Sequence, residues 1–203
     1  MTKIFLIRHG ETEWNRVGKL QGISDIRLSP EGINQAHLLA EHTPFNAVDA
    51  VYSSDLVRAV MTAKILSDKF NLPIIRERGL RETNFGDWEG RFLSELAKEN
   101  PKGFEKFFTK PDQVQPPGGE TFLQSQARIM NALDEIIADN EDRNIIVITH
   151  GAAIRLIICA ALYIPIRKMW AISQNNMAVN ILTFDEGNFS VELMNSTLHL
   201  YDF

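Results

Sequence analysis

Lys3-Ile-Phe-Leu-Ile-Arg8-His9-Gly10 near the start of the chain and Asn144-Ile-Ile-Val-Ile-Thr149-His150-Gly151 far along it end the same way. Each is a short apolar run rich in branched side chains, without the polar alternation of a half-exposed strand, so each reads as a strand buried on both faces of a parallel sheet. Each stops at a histidine followed by glycine. Open α/β sheets take their ligands outside the carboxyl ends of the strands, so two imidazoles distant in sequence are predicted to share one pocket.

Outward from these runs, strand and helix patterns alternate. A polar loop is predicted over 11–27, then a helix to about Thr43 with Ser29 as N-cap and Pro30 in its first turn. Val48-Asp-Ala-Val-Tyr52 reads as a second strand, and Ser53-Ser54-Asp55 as the cap of a helix carrying Val57, Val60, Met61, Ile65 and Leu66 at helical spacing. Arg58 falls in the first turn of that helix, where the dipole favours anions. Pro73-Ile-Ile-Arg76 is a short third strand. A loop over 80–90, rich in acidic and aromatic residues, leads to helical turns broken by Pro101 and Pro111. The segment 92–118 reads as a small helical cap over the pocket or, equally, as a surface hairpin with its own small core. A long helix follows from Thr121 to about Asn140, then the second His-Gly strand, an apolar helix over 152–162, and a hairpin around Asp185-Glu-Gly-Asn188. The predicted fold is α/β: a three-layer α/β/α sandwich with a mostly parallel central sheet and an antiparallel edge strand. With no Pro-, Gly- or Ser-rich break, residues 1–203 are expected to form a single domain.

The chain is 44% hydrophobic and 23% charged, an ordinary globular composition. Its net charge of −5 argues against a nucleic-acid partner, which would call for a basic face. A few arginines in a cleft can still dominate a local field whatever the total. The one cysteine, Cys159, lies in an apolar helix and reads as core; with no disulfide to form, a cytoplasmic location is expected. No apolar run is long enough to cross a bilayer, so no membrane partner is expected.

The neighbours of the two histidines choose their chemistry. A metal would be repelled by the arginine directly before His9, so neither metal nor cofactor is expected. Phosphoryl transfer uses every group: planar guanidinium forks at Arg8 and Arg58 match phosphoryl oxygens, His9 can attack phosphorus, and His150, protonated, can donate to the same oxygens. The leaving alkoxide needs a proton from a carboxylic acid on the opposite side. Glu82 is the candidate, because phenyl and indole groups nearby would favour its protonated form. Glu89 and Asp87 are weaker choices. Satisfied core histidines are the competing reading for His9 and His150, but they would leave two adjacent arginines without purpose.

Leu6-Ile7-Arg8-His9-Gly10-Glu11-Thr12-Glu13-Trp14-Asn15 closely resembles the histidine phosphatase superfamily, which contains cofactor-dependent phosphoglycerate mutases and many small phosphatases. The likeness continues in order through Gln21-Gly22, Leu28-Ser29-Pro30-Glu31-Gly32, Ser53-Ser54-Asp55-Leu56 with Arg58-Ala59, the Glu82 loop, Gly118-Gly119-Glu120-Thr121 and Thr149-His150-Gly151. The resemblance implies that His9 is the phosphorylated nucleophile, that Arg8, Arg58 and His150 bind the phosphoryl group, and that Glu82 is the proton donor. It further implies a phosphate contact from Asn15 and a site-lining loop at Gln21 and Gly22.

Mutases of this family carry a longer insertion between the acid loop and the Gly-Gly-Glu stretch, so the short segment here favours a phosphatase acting on a small phosphorylated metabolite. The alternatives are a phosphoglycerate mutase and a catalytically inactive phospho-ligand sensor or scaffold. Asn84-Phe85-Gly86-Asp87-Trp88-Glu89 resembles α-ribazole and broad-specificity phosphatases, whereas Pro117-Gly-Gly-Glu120 and Asn195-Ser-Thr-Leu-His199-Leu resemble metal-independent phosphoserine phosphatases. In that last case His199 would reach the substrate; a packing role is its other reading. Trp14 and Trp88, adjoining motif residues, are pocket walls or core, and Trp170 reads as core. Lys98, Lys102, Lys106 and Lys110 read as a solvated helix face. The oligomeric state, a homodimer included, is left open.

Overall fold

The computed structural model describes residues 1–45 and 47–201. In chain order the elements are β1 (Thr2–Arg8), α1 (Glu13–Val17), α2 (Pro30–Glu41), β2 (Ala50–Ser53), α3 (Val57–Phe70), β3 (Ile74–Arg76), α4 (Leu93–Glu99), α5 (Pro101–Thr109), α6 (Phe122–Ala138), β4 (Asn144–Thr149), α7 (Gly151–Ala161), β5 (Val179–Asp185) and β6 (Asn188–Ser196), with short 3-10 turns between some of them. The strands form one sheet in the order β3-β2-β4-β1-β5-β6. The first four are mutually parallel, and the β5–β6 hairpin supplies the antiparallel edge.

Successive side chains of a strand face opposite sides. In β1, Ile4 and Leu6 enter the core beneath α6 and α7, while Phe5 and Ile7 enter the core beneath α2 and α3; β4 divides Ile145 and Val147 from Ile146 and Ile148 in the same way. Both faces are covered, which is why neither run alternates with polar residues. The expected three-layer α/β/α sandwich is the architecture observed.

Register decides where the histidines go. Arg8 lies opposite Thr149 on the neighbouring strand, and the His9 amide donates to the Thr149 carbonyl at 3.0 Å, so both chains leave the sheet together. At Gly10 the turn runs against α2 so closely that a Cβ would collide with the Gly32 carbonyl. The Gly10 amide donates to Thr62 Oγ1 at 3.1 Å, and that hydroxyl donates to the Arg58 carbonyl, which fastens α3 to the end of β1.

Two local expectations are corrected. The loop over 11–27 contains α1, opened by a capping box in which Thr12 Oγ1 accepts from the Asn15 amide and Asn15 Oδ1 accepts from the Thr12 amide. The N-cap of α3 is Leu56, without a side-chain bond of its own. Asp25 from the preceding loop accepts from the Val57 amide at 2.6 Å instead, while Asp55 forms a two-pronged pair with Arg81.

The segment 92–118 packs through an aromatic cluster. Phe107 of α5 is buried against Phe85, Trp88, Phe122 and Trp170, and its carbonyl accepts from Trp170 Nε1 at 2.7 Å. This cluster is continuous with the core beneath α6 and α7. The four lysines at 98, 102, 106 and 110 are exposed.

Candidate active site

A cavity of about 220 Å3 opens at the carboxyl ends of β1 and β4. His9 lines it, and His150, which does not, lies behind it with ring centroids 5.1 Å apart; both rings are buried. His9 Nδ1 stands 2.7 Å from the Gly10 carbonyl. A carbonyl can only accept, so the proton sits on Nδ1 and the lone pair on Nε2. Arg58 Nε donates to that lone pair at 3.2 Å, which brings guanidinium and nucleophilic nitrogen to one spot. Burial first, then Arg58 and Arg8, hold the His9 pKa well below its ordinary value, so the ring is neutral near pH 7.

Arg58 is almost wholly buried on the first turn of α3. Its Nη1 donates to the Ser24 carbonyl at 2.7 Å and its Nη2 to the Gly22 carbonyl at 2.6 Å. The loop bearing those carbonyls is held by Glu89, whose carboxylate accepts from the amides of Ile23, Ser24 and Phe85 at 2.8–3.0 Å and from the Ser24 hydroxyl. Glu89 is therefore a scaffold for Arg58 rather than an alternative acid, and Asp87 is exposed. Arg8 Nη1 donates to the Gln174 carbonyl, and its buried Nε has no partner among the described residues. Burial lowers both Arg8 and Arg58 to about 10, which leaves them charged near neutral pH.

His150 differs from expectation. Burial, Arg58, His9 and Arg8 depress its pKa well below the ordinary value, so in the free protein it is neutral rather than protonated. Its Nε2 lies 2.8 Å from Ser54 Oγ, and its buried Nδ1 has no partner among the described residues. The Ser54 oxygen also accepts from the Leu56 amide at 3.4 Å. When Ser54 donates its own proton to Nε2, the ring proton sits on Nδ1, the nitrogen without a partner among the described residues. A neutral histidine in this tautomer still donates one hydrogen bond.

Glu82 shares the cavity with Phe85 and Trp170, and three backbone amides hold its carboxylate: Thr83, Ala152 and Ala153 each donate at 3.0 Å, the last two from the first turn of α7. A carboxylate offers about four lone-pair sites, and the three amides occupy three of them. The loop before Glu82 is pinned by Arg128, which donates to the carbonyls of Gly79 and Arg81 and pairs with Glu120 at 2.6 Å.

Asn15, Gln21 and Gly22 line the cavity. Asn15 Oδ1 is taken up by the α1 cap and by Asn176 Nδ2, leaving its own Nδ2 donors without a partner among the described residues. Two expected pocket residues do not line it. Trp14 packs outside, against Gly90 and beneath Lys19. His199 lies in the last 3-10 turn, which packs on α2, and burial with His42 nearby lowers it to about 4. The wall instead includes Lys19, Phe85, Leu93, Arg155 and Trp170, none of them foreseen as pocket residues. Arg155 had a signal: it stands one helical turn after Gly151, on the same face.

The arrangement suits one task, holding a tetrahedral dianion between guanidinium groups and against a neutral imidazole, which defines the class as a phosphoryl-transfer enzyme on an α/β sheet. The family model described as the histidine phosphatase superfamily, branch 1, matches residues 4–197. Phosphoserine phosphatase 1 of Hydrogenobacter thermophilus is 32% identical over 203 residues, covering 100% of this chain and 96% of that one. Among solved structures, Bacillus stearothermophilus YhfR superposes with a TM-score of 0.94 at 30% identity, over 99% of this chain and 100% of the other. A phosphoserine phosphatase variant of Entamoeba histolytica, solved in complex with phosphoserine, superposes with a TM-score of 0.84 at 32% identity, again over 99% and 100%. This chain belongs to the histidine phosphatase superfamily, branch 1, and within it is a phosphomonoesterase.

Proposed function

We propose that the chain hydrolyses a small phosphorylated metabolite through a phosphohistidine on His9. The carrying observation is the pair of contacts at that ring, Gly10 fixing the proton on Nδ1 and Arg58 meeting the lone pair on Nε2. In the first step His9 Nε2 attacks phosphorus, the bond from phosphorus to the ester oxygen breaks, and Glu82 gives its proton to the leaving alcohol. Arg8 Nε, Arg58, His150 Nδ1 and Asn15 Nδ2 take the phosphoryl oxygens. In the second step Glu82 removes a proton from water, the hydroxide attacks phosphorus, and inorganic phosphate leaves as the lone pair returns to Nε2.

The relatives named phosphoserine phosphatases support hydrolysis over transfer between two hydroxyls. The lone Cys159, buried and with its thiol pushed up to about 11, supports action in the reducing cytoplasm. The test is p-nitrophenyl phosphate hydrolysis with a radiolabelled ester quenched in base, where phosphohistidine survives. Wild type is expected to retain label and to keep its rate in a chelator. His9→Ala is expected to lose label and at least about 10³-fold in kcat. Release of phosphate by His9→Ala at the wild-type rate would end this reading, and transfer of label between hydroxyls of a glycerate would replace it with the mutase.

A further inference from the structure

Beyond the groups given to the phosphoryl end, the cavity carries a third guanidinium. Arg155, on α7, is held rigidly: its Nε donates to the Ile172 carbonyl at 2.8 Å and its Nη1 to the Gly151 carbonyl at 2.9 Å. The guanidinium carbon lies 5.3 Å from the centroid of Trp170, whose indole is itself fixed by the Phe107 carbonyl. A Cβ on Gly151 would meet Arg155 Nη1 at 3.2 Å and Arg8 Nε at 3.3 Å, so two like charges converge on this one glycine. Nothing in the phosphoryl-transfer steps above uses Arg155.

Its position is outside the phosphoryl centre. Arg58 bonds the His9 ring itself, whereas Arg155 bonds the Ile172 and Gly151 carbonyls and meets Arg8 across Gly151. The charge balance points the same way. Arg8, Lys19, Arg58 and Arg155 line the cavity with Glu82 as the only carboxylate among the described lining residues, and none of the four cations forms an ion pair. A phosphomonoester dianion leaves about one positive charge uncompensated with Glu82 ionised and about two with it protonated, and two like charges converging in a buried site call for an anion. At about 220 Å3 the cavity lies below the usual range for larger ligands, which suits a leaving group of a few carbon atoms.

We propose that Arg155, stacked on Trp170, binds a carboxylate on the leaving group, so that the substrates are small phosphorylated hydroxy acids or hydroxyamino acids rather than uncharged alcohol phosphates. The planar fork suits a carboxylate, and Lys19 adds a second positive charge at the wall. This inference rests on the phosphatase reading.

The experiment compares O-phosphoserine with O-phosphoethanolamine, which differ by the carboxylate alone, and p-nitrophenyl phosphate as a measure of the phosphoryl end. Wild type is expected to prefer phosphoserine by at least about tenfold in kcat/KM. In Arg155→Met that preference is expected to collapse through a raised KM for phosphoserine, with the other two substrates within about threefold of wild type. Arg155→Lys is expected to keep part of the preference, charge without the fork. Equal use of the two matched substrates by wild type would overturn the proposal even if Arg155→Met failed to fold. So would an equal loss on all three substrates in a folded variant, which would assign Arg155 to the support of Arg8. Wild type inactive on all three would instead sink the phosphatase reading, and the inference with it.

Discussion

His150 shows how much one hydroxyl can decide. A buried imidazole beside two guanidinium groups is neutral, so its value to a phosphoryl group depends on which nitrogen carries the proton. When Ser54 Oγ, 2.8 Å from Nε2, donates to that nitrogen, the ring proton sits on Nδ1. In Ser54→Ala the ring loses this bias and can turn a lone pair toward the phosphoryl oxygens. The expected loss is about five- to tenfold in kcat, matching one ordinary hydrogen bond, with a smaller change in KM. Nitrogen-15 chemical shifts check the cause directly: wild type should show His150 protonated at Nδ1 and the variant a mixture. A wild-type ring protonated at Nε2 would refute the assignment. Arg8, His9 and His150 were legible in sequence because buried strand runs and the residues just after them are local patterns. Protonation was not, since His150 was expected to be charged and is driven neutral by groups from α3 and β1 that meet only in the fold. Of the two readings open for Trp14 and for His199, the fold takes the packing one in each case, since adjacency in sequence to a motif does not fix which way a ring faces.

At the scale of elements, the site depends on loops that hold one another. Arg58 stands on a helix, but its fork is aimed by the carbonyls of Gly22 and Ser24, and those in turn by the Glu89 carboxylate. Gly22 has φ +56, and a Cβ there would collide with Glu89, so the loop and its anchor fit only around glycine. Glu89→Gln keeps the shape but replaces one of two accepting oxygens with a donor. It is expected to lower kcat/KM at least about tenfold on every phosphate ester alike, in contrast with the substrate-selective effect at Arg155. A variant with unchanged kcat/KM would show that Arg58 is aimed without this loop. Long elements such as α6, with Thr121 and Gln124 as its capping box, were readable from period and cap. The five-residue α1 was not, because so short a helix has no period and is held by Asn15 and Asn176 rather than by propensity.

For the whole molecule, burying cationic chemistry makes stability depend on pH. His9 and His150 have folded pKa values well below their ordinary 6.5, and His199 is lowered to about 4. In the unfolded chain all three take up protons as pH falls through 6.5, while the folded chain refuses them. The unfolded state then binds more protons, so stability must fall with falling pH in this window. Well above 6.5 neither state is protonated and the effect vanishes; for His199 it levels off near pH 4. Each of the two fully buried rings contributes up to about 1.4 kcal/mol per pH unit. Urea midpoints at pH 7.5, 6.5 and 5.5 should therefore fall across both intervals, about three times more across the second than across the first. His199→Gln should remove part of that drop without touching turnover, since His199 packs against α2 and not in the cavity. A midpoint that stayed flat or rose on acidification to pH 5.5 would mean that the two strand-end histidines are not held neutral, and the nucleophile would then need another source for its lone pair.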